Sequence, residues 1–236
     1  MQGVVPAAGE GTRLRPMTEQ RPKGLVPVNG QPLLTHVFET LLEAGVDELV
    51  VVVGHLADQI IEYYGDGFRE VPITYVHQRE QRGLGHAVSL TEPHVSGPFV
   101  VLNGDNVFVD GIEHVLERMS EPDVDAVLAV ESLDREQARD TGVLEVSAGR
   151  VTGIVEKPEK PPSTLVTTGC YVLPEAIFDA LALAQPSDRG EYELSEAVGL
   201  LVSAGSVVEP VEIAGPRVNV NTEEDLERAG RLLEER

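Results

Sequence analysis

The stretch MQGVVPAAGEGTRLRPMTEQRPKGLVPVNG, residues 1–30, decides how the rest of the sequence is interpreted. Its apolar run at 3–8 predicts a buried strand, and Gly9 and Gly11 follow directly. Glycine lets the backbone approach a ligand closely, and successive free N–H groups form an anion-binding concavity. Residues 11–24 carry four cations and one acid, a local balance of +3 in a chain of net charge −22. The stretch therefore predicts a strand that leads into a polyphosphate-binding loop.

This loop differs from the two common phosphate-binding motifs. The P-loop pattern G-x-x-x-x-G-K-[ST] is absent, and the dinucleotide fingerprint lacks its third glycine because Leu14 stands there. The sequence has G-x-G-T-R-L-R-P-M-T instead, followed by P-K-G-L-V-P-V. This long pattern resembles the signature of the sugar-phosphate nucleotidylyltransferases, in particular the glucose-1-phosphate thymidylyl- and uridylyltransferases.

The order of predicted elements indicates an α/β fold. Up to residue 122, short apolar runs alternate with amphipathic helices, which predicts a doubly wound, mostly parallel sheet with helices on both faces. From residue 123 onward the pattern becomes richer in strands, including two joined by a tight turn at 147–150. We therefore expect a single Rossmann-like nucleotidyltransferase domain over 1–236. Its nucleotide-binding half is expected at 1–122, and a small β-rich sugar-binding half at 123–236.

Composition restricts the function further. Forty acids stand against 18 bases, a balance that argues against nucleic-acid binding. The only lysines are Lys23, Lys157 and Lys160, and the first two lie in motifs. A general loss of surface lysine that spares functional lysine is typical of adaptation to a high-salt cytoplasm. The composition therefore predicts a halophilic archaeon as source. The lone Cys170 fits a reducing cytosol, and neither a signal peptide nor a membrane span is predicted. The expected location is cytoplasmic.

A magnesium site is expected around Asp105, which follows the predicted strand 99–102. Mg²⁺ in proteins takes one or two carboxylates plus phosphate oxygens, so a carboxylate beside a phosphate loop suits it. The resemblance implies that Asp105 is one metal ligand and that a second lies near the C-terminus. Counting back from Leu226 points to Asn219, whereas the spacing of the related N-acetylglucosamine enzymes points to Asn221. Both stay open, because alternate residues of an extended segment share one face.

The resemblance also implies a nucleobase clamp. Gln78 and Gly83 match its pattern of Gln, four residues, then Gly-Leu. A Gln amide both donates and accepts hydrogen bonds, which suits the edge of uracil or thymine, and Gly83 is expected to let the backbone approach the base. The donor is therefore expected to be UTP or dTTP. Further nucleotide contacts are implied for four residues of the first loop: Ala8, Gly9, Gly11 and Thr12.

Sugar contacts are implied by Glu-Lys-Pro at 156–158, which resembles a sugar-phosphate motif of the family. By this resemblance, Glu156 accepts from sugar hydroxyls and Lys157 meets the sugar phosphate. The other sugar-phosphate contacts that it implies are Asn103, Gly142, Thr168 and Gly169. The segment R-G-E-Y-E-L at 189–194 matches the family less closely.

The implied reaction joins a sugar 1-phosphate to a nucleoside triphosphate, with Mg²⁺ as cofactor, and releases pyrophosphate. Arg13 and Lys23 are the expected catalytic residues, and glucose 1-phosphate is the expected acceptor. The rivals are a cytidylyl or guanylyl transferase of the same fold, an N-acetylglucosamine or mannose 1-phosphate substrate, and a non-catalytic nucleotide-sugar sensor. Neither nucleic acid nor a membrane is expected as a partner, and a homo-oligomer is left open.

Overall fold

The computed structural model describes residues 1–235. The strands, in chain order, are β1 (Gln2–Pro6), β2 (Pro27–Val28), β3 (Gln31–Pro32), β4 (Glu48–Val53), β5 (Gly67–Phe68), β6 (Val71–His77), β7 (Phe99–Leu102), β8 (Asn106–Phe108), β9 (Ala126–Ser132), β10 (Gly142–Ser147), β11 (Arg150–Glu156), β12 (Leu165–Leu173), β13 (Val208–Glu212) and β14 (Arg217–Asn219). The α-helices are α1 (Leu33–Glu43), α2 (Ala57–Tyr64), α3 (Leu84–Ser89), α4 (Glu113–Arg118), α5 (Ile177–Leu183), α6 (Leu194–Ser203) and α7 (Glu223–Glu234). None of the helices in this part of the chain is long and apolar enough to cross a membrane.

The first compact unit comprises Met1–Gln81, Leu102–Glu113 and the described chain from Ala214 onward. Its sheet has the order β1-β4-β6-β5, in which β1, β4 and β6 run parallel and β5 is antiparallel to β6. The valines of β4 are completely buried, as the near-continuous apolar run of a parallel strand requires. This sheet brings the carboxyl ends of β1, β4 and β6 to one edge.

A small hydrophobic core of this unit joins the first loop to the C-terminal segment. Its buried members are Leu14, Val28, Leu33, Val107, Val218, Val220 and Ala229. Five of them lie in the two-stranded sheets β2–β3 and β8–β14 or within one or two residues of these strands, and Ala229 lies in α7. Helix α7 starts with a capping box between Thr222 and Asp225, which satisfies N–H groups of its first turn. The core therefore ties the start of the chain to residues near its end.

The second compact unit comprises Arg82–Val101 and His114–Ile213. Its strands follow the order β11-β10-β12-β7, with β9 paired to β12 and β13 paired parallel to β9. The β10–β11 hairpin turns through Ala148 at φ 50° and Gly149 at φ 77°. Two successive residues with positive φ are typical of a type I′ hairpin turn. This unit is predominantly antiparallel.

Most predicted elements are confirmed, with ends shifted by a few residues. Helix 57–64 and strands 99–102 and 165–173 have the predicted bounds, whereas the helix predicted from Pro174 begins at Ile177. The reason is a turn, in which the N–H of Ile177 donates to the carbonyl oxygen of Pro174 over 3.1 Å. The strands of two or three residues were not predicted, since they are too short to show a period of two.

Candidate active site

The first loop leaves β1 at Pro6 and is fixed by backbone and side-chain contacts. The N–H of Gly104 donates to the carbonyl oxygen of Pro6 at 3.0 Å, and the buried Thr18 hydroxyl donates to that of Gly11 at 2.8 Å. Gly11 has φ +63°, and a Cβ there would lie 3.0 Å from Cβ of Lys23. Gly9 is exposed, with nothing within 4 Å of the position of an added Cβ. The loop is therefore held at its ends while its glycine-rich centre is accessible.

Two predicted phosphate-binding residues lie exposed on this loop. Thr12 opens a 3₁₀ turn over Thr12–Leu14, whose Leu14 is completely buried. Arg13 is exposed, and within residues 1–235 its guanidinium forms neither a hydrogen bond nor an ion pair. Leu14 thus anchors the turn, and Arg13 keeps all its donors available to an anion.

Lys23 is less exposed than the three arginines of the loop. Its Nζ donates to Oδ2 of Asp105 at 2.8 Å and to Oδ1 of Asn221 at 2.9 Å. The Lys23 side chain is 13% exposed and that of Asp105 is 29% exposed, so solvent screens this ion pair only in part. Three predicted site residues, separated by 82 and 198 positions in the sequence, therefore meet at one ammonium group.

Short strands bring Asp105 and Asn221 together. β8 and β14 pair antiparallel with Asn106 opposite Asn219, and the N–H of Val220 donates to the Asp105 carbonyl oxygen at 2.8 Å. Asn221 Nδ2 donates to Oδ1 of Asn219 at 2.8 Å, which leaves Oδ1 of Asn221 facing Lys23. The two asparagines lie side by side as predicted, but only Asn221 shares a cation with Asp105.

Asn103 carries an unusual buried oxygen. Its Oδ1 is inaccessible to solvent and has no hydrogen-bond donor within residues 1–235. A buried acceptor without a partner costs about 1–3 kcal/mol, so such atoms commonly face a ligand or an ordered water. Asn103 lies two positions before Asp105, which places this acceptor beside the ion pair in the sequence.

Gln78 lies at the carboxyl end of β6. Its N–H donates to the Val53 carbonyl oxygen at 2.8 Å, and the residue is 6% exposed. It borders a cavity of about 430 Å³ whose other lining residues are Glu10, Gly54, His55, His77, Arg79 and Gln81. Gln81, which the sequence did not single out, donates through Nε2 to the Ala8 carbonyl oxygen at 3.1 Å. The predicted base contact Gln78 and the first loop therefore border on one cavity of the first unit.

In the second unit, Glu156 ends β11 in a polar cluster. Its Oε2 accepts the Ser195 hydroxyl at 3.0 Å, and Lys157 Nζ lies 3.8 Å from its Oε1. Gly142 pairs with Glu156 in the β10–β11 register, and a Cβ on Gly142 would lie 3.2 Å from Oε2. The predicted contacts Gly142, Glu156 and Lys157 are thus brought together. Ser195 was missed, since a serine in an amphipathic helix carries no signal of its own.

A second carboxylate, Glu193, explains the electrostatics of this cluster. Glu193 is buried and accepts from Arg189 at 2.7 Å and from the Ser187 hydroxyl at 3.1 Å. Burial raises the pKa of Glu156, and the negative charge of Glu193 raises it further; Lys157 and the Ser195 hydroxyl act in the opposite direction. The weakly matched segment at 189–194 therefore contributes an acid that tunes Glu156.

Similarity to known proteins agrees with this geometry. The Nucleotidyl transferase family model matches residues 2–214, most of the chain. The chain belongs to the nucleotidyl transferase family. The resemblance drawn from the first loop is thereby confirmed.

Three named relatives are similar in sequence to most or all of the chain. This nucleotidyl transferase is 48% identical to the UTP–glucose-1-phosphate uridylyltransferase AglF of Haloferax volcanii over 236 residues, which is 100% of the chain and 97% of AglF. It is 35% identical to a glucose-1-phosphate thymidylyltransferase of Streptomyces griseus, covering 99% of the chain and 66% of the relative. It is 34% identical to the bifunctional protein GlmU of Methanococcus maripaludis, covering 91% and 50%. The Haloferax relative supports the predicted halophilic archaeal source.

Solved structures confirm the fold class. A Bacillus anthracis chain described as a glucose-1-phosphate thymidylyltransferase matches with a TM-score of 0.89 at 28% identity, covering 99% of this chain and 95% of that one. A UDP-glucose pyrophosphorylase solved with UDP-glucose also has a TM-score of 0.89, at 24% identity, covering 99% and 98%. The fold of this nucleotidyl transferase is the mostly parallel α/β fold that the sequence predicted.

The remaining predicted contacts have internal partners. Gly83 has φ +97°, and a Cβ there would lie 2.6 Å from the Tyr192 carbonyl oxygen, so packing alone accounts for glycine at this position. The buried Thr168 hydroxyl donates to the Ala129 carbonyl oxygen at 2.9 Å, and Gly169 has φ +80° where the β9–β12 register is irregular. Any ligand contact of Thr168 must therefore use its backbone or the remaining lone pair of its hydroxyl.

Proposed function

We propose that this chain transfers a nucleotidyl group from UTP or dTTP to glucose 1-phosphate and releases pyrophosphate. The observation that carries the proposal is the ammonium of Lys23, held by Asp105 and Asn221 beside an accessible glycine loop. A cation, a metal-type carboxylate and free backbone N–H groups are the parts that stabilise charge in phosphoryl transfer. The relative AglF, which is named as a UTP–glucose-1-phosphate uridylyltransferase, supports the choice of substrates.

The proposed chemistry needs no general base. A sugar 1-phosphate is already anionic at neutral pH, so its oxygen can attack the α-phosphorus without prior proton transfer. The P–O bond to pyrophosphate then breaks, and the leaving group carries the electron pair. Arg13 is proposed to hold the β- and γ-phosphates, and Lys23 to bridge the α-phosphate and the sugar phosphate. Their task is to bring two anions together and to stabilise the charge that develops.

The donor set at Lys23 fits Mg²⁺. One carboxylate oxygen of Asp105 and one amide oxygen of Asn221 face the same cation, and Mg²⁺ takes few protein ligands because it retains water and binds substrate phosphates. Within residues 1–235 there is no cluster of three His, Cys, Asp or Glu that could form a richer metal site. We propose Asp105 and Asn221 as the ligands, with Asn219 orienting Asn221. When bound, the metal neutralises and orients the triphosphate.

Base selection is proposed to rest on Gln78. Uracil and thymine present an N3–H donor flanked by carbonyl acceptors, and a Gln side chain can accept from the first while donating to a neighbouring carbonyl. Cytosine reverses this edge, with an acceptor at N3 and a donor at C4. A hydrogen-bonding site can reject such a mismatch by orders of magnitude. We propose that Ala8, Gly9, Gly11 and Thr12 contact the nucleotide as well. For Gly83 only a backbone contact is proposed.

The sugar is proposed to bind at Glu156 and Lys157. Glu156 would accept from sugar hydroxyls, and Gly142 leaves space beside its Oε2. Asn103 is proposed as a further contact of the sugar phosphate, and its buried Oδ1 could accept a hydrogen bond only after a local rearrangement that exposes it. Thr168 and Gly169 are also proposed as contacts of the sugar phosphate. Because the Thr168 hydroxyl already donates internally, Thr168 would use its backbone or a remaining lone pair of that hydroxyl.

The test is a grid of nucleotides against sugar 1-phosphates, read by pyrophosphate release. UTP, dTTP, CTP, GTP and ATP are each combined with glucose, N-acetylglucosamine and mannose 1-phosphates. We expect the highest kcat/KM for UTP or dTTP with glucose 1-phosphate. A higher value for CTP or a purine nucleotide would refute the assignment of Gln78, and no pyrophosphate with any pair would favour a non-catalytic sensor.

Several further expectations stay predictions. They are a single domain with halves at 1–122 and 123–236, a cytoplasmic location and the lack of nucleic-acid partners. Whether the chain forms a homo-oligomer is tested by light scattering in buffer with molar KCl.

A further inference from the structure

The Lys23 ammonium lies where the proposed metal site has its two protein oxygens. Nζ is 2.8 Å from Oδ2 of Asp105 and 2.9 Å from Oδ1 of Asn221. Both contacts are of hydrogen-bond length, so the lone pairs that face Nζ are committed to it. The Lys23 side chain is only 13% exposed, which makes this a formed contact rather than a solvated surface pair.

A divalent cation and the ammonium in this position exclude one another. Mg²⁺ requires ligand oxygens at about 2.0–2.1 Å in near-octahedral directions, which are shorter contacts than those to Nζ. A metal on Asp105 Oδ2 would also lie within a few ångströms of Nζ, where two positive charges repel strongly in a partly buried site. One of the two must leave before the other can use these oxygens.

We propose that Lys23 and the divalent cation are alternative occupants of the Asp105–Asn221 site, and that Lys23 holds it until a nucleotide binds. The proposal rests on the proposed function, in which Lys23 acts on phosphate. Phosphate oxygens in the first loop offer the ammonium new partners, so they draw it off the two ligands and free them for the metal. Nucleotide and metal therefore bind cooperatively, each strengthening the other by the same factor.

The local structure allows the ammonium to move while the backbone stays in place. Lys23 opens a 3₁₀ turn over Lys23–Leu25, fixed by the N–H of Leu25 donating to the Pro22 carbonyl oxygen at 2.9 Å. Its Cβ would lie 3.0 Å from a Cβ on Gly11, so its stem starts against the phosphate loop itself. Four flexible methylenes then let Nζ reach either the two ligands or an anion in the loop.

The test measures Mn²⁺ binding to the nucleotide-free protein by electron paramagnetic resonance. We compare the wild type with Lys23→Met, which removes the ammonium and keeps a stem of similar shape. Arg13→Met is the matched control, because it removes a cation from the same loop that does not contact Asp105. Lys23→Met should tighten the Mn²⁺ Kd about 10-fold, whereas Arg13→Met should change it less than about twofold. Thermal melts confirm that each variant folds.

The double variant Lys23→Met with Asp105→Asn locates the effect. If the gain arises at this site, the double variant loses it. An unchanged or weaker Kd in Lys23→Met, an equal gain in Arg13→Met, or a gain that survives Asp105→Asn would each overturn the proposal.

A second arm tests the coupling to nucleotide. α,β-Methylene-UTP should tighten Mn²⁺ binding to the wild type by a larger factor than to Lys23→Met, after correction for the Mn²⁺–nucleotide complex. Equal factors would overturn the cooperativity. The first arm needs neither turnover nor nucleotide. A protein that releases no pyrophosphate but gains metal affinity in Lys23→Met would therefore refute the proposed function while supporting this competition.

Discussion

The cation site at Lys23 and the carboxylate cluster at Glu156 differ in how the charge of the central group is stabilised when no ligand is bound. In the first unit, the charge of Lys23 is balanced by Asp105 at 2.8 Å. In the second unit, Glu156 has Lys157 only at 3.8 Å and the acid Glu193 among its neighbours, so its pKa is raised by burial and by like charge.

This difference predicts different sensitivities. A group balanced by an opposite ion is released when a stronger ion competes for its partner, so the Lys23 site should respond to metal and phosphate. A partly buried acid with a raised pKa instead loses its charge by protonation, so the Glu156 cluster should respond to pH. One reaction would thus be controlled by two separate conditions.

The largest effect is expected when a cation of the first loop is removed. Lys23→Ala or Arg13→Ala should lower kcat about 10²-fold or more, because each removes a preorganised charge that acts on the transition state. Arg21→Ala, an exposed cation of the same loop, is the control and should stay within about twofold. A wild-type kcat in either active-site variant would remove that residue from the mechanism.

The carboxylate side should show a binding defect instead. Glu156→Gln keeps the shape but loses the charge, and hydrogen bonds to charged groups contribute about 1.5–3 kcal/mol. We expect the KM for glucose 1-phosphate to rise about 10-fold while the KM for UTP stays unchanged. Because ionised Glu156 opposes folding above its raised pKa, the variant should be at least as stable as the wild type at neutral pH. A fall in kcat with both KM values unchanged would argue against a sugar-binding role.

The pH dependence sharpens the comparison. As the pH falls through the raised pKa of Glu156, the carboxylate that accepts from sugar hydroxyls becomes protonated, and the KM for glucose 1-phosphate should rise. Glu193→Gln removes a neighbouring negative charge, which lowers the Glu156 pKa and moves this rise to lower pH. Glu159→Gln, an exposed acid of the same loop, should leave the profile in place. Identical profiles in Glu193→Gln and the wild type would contradict the coupling.

Salt should have the smallest effect of these changes. It should act on the stability of the fold, through the acids outside both sites. The 40 acids outnumber the 18 bases, which leaves a net charge of −22, and the repulsion among the acids is screened as the Debye length falls from about 10 Å at 0.1 M to about 3 Å at 1 M. We expect Tm to rise by several degrees between 0.1 and 2 M KCl. A flat Tm measured by circular dichroism would refute the halophilic interpretation of the composition.

The sequence predicted the helices and long strands because their patterns repeat over several residues. The apolar run of β4 and the capping pair Thr222 and Asp225 are local signals, and the structure contains both as expected. The pairing of β8 with β14 was not predicted, since strands of three residues have no period to detect. That pairing places Asn221 beside Asp105.

The site residues also fall into those that motif spacing predicts and those that only the tertiary contacts reveal. The glycine loop and the Glu-Lys-Pro motif identified candidates because their spacing is specific, whereas Ser195 and Gln81 contribute through contacts with residues distant in the chain. Gly83 shows the converse case. Its match to a ligand-binding pattern is real, yet its missing Cβ is accounted for by the Tyr192 carbonyl oxygen.

By itself, the sequence determined the types of element, the phosphate loop and the residue types of the site, because these depend on local periodicity and motif spacing. Only the tertiary structure decided which asparagine shares the cation with Asp105, because that contact joins segments far apart in the chain. It also decided that the partly buried Glu156 lies near the buried acid Glu193. Burial and the distance between charges set a pKa, and neither is a property of the linear sequence.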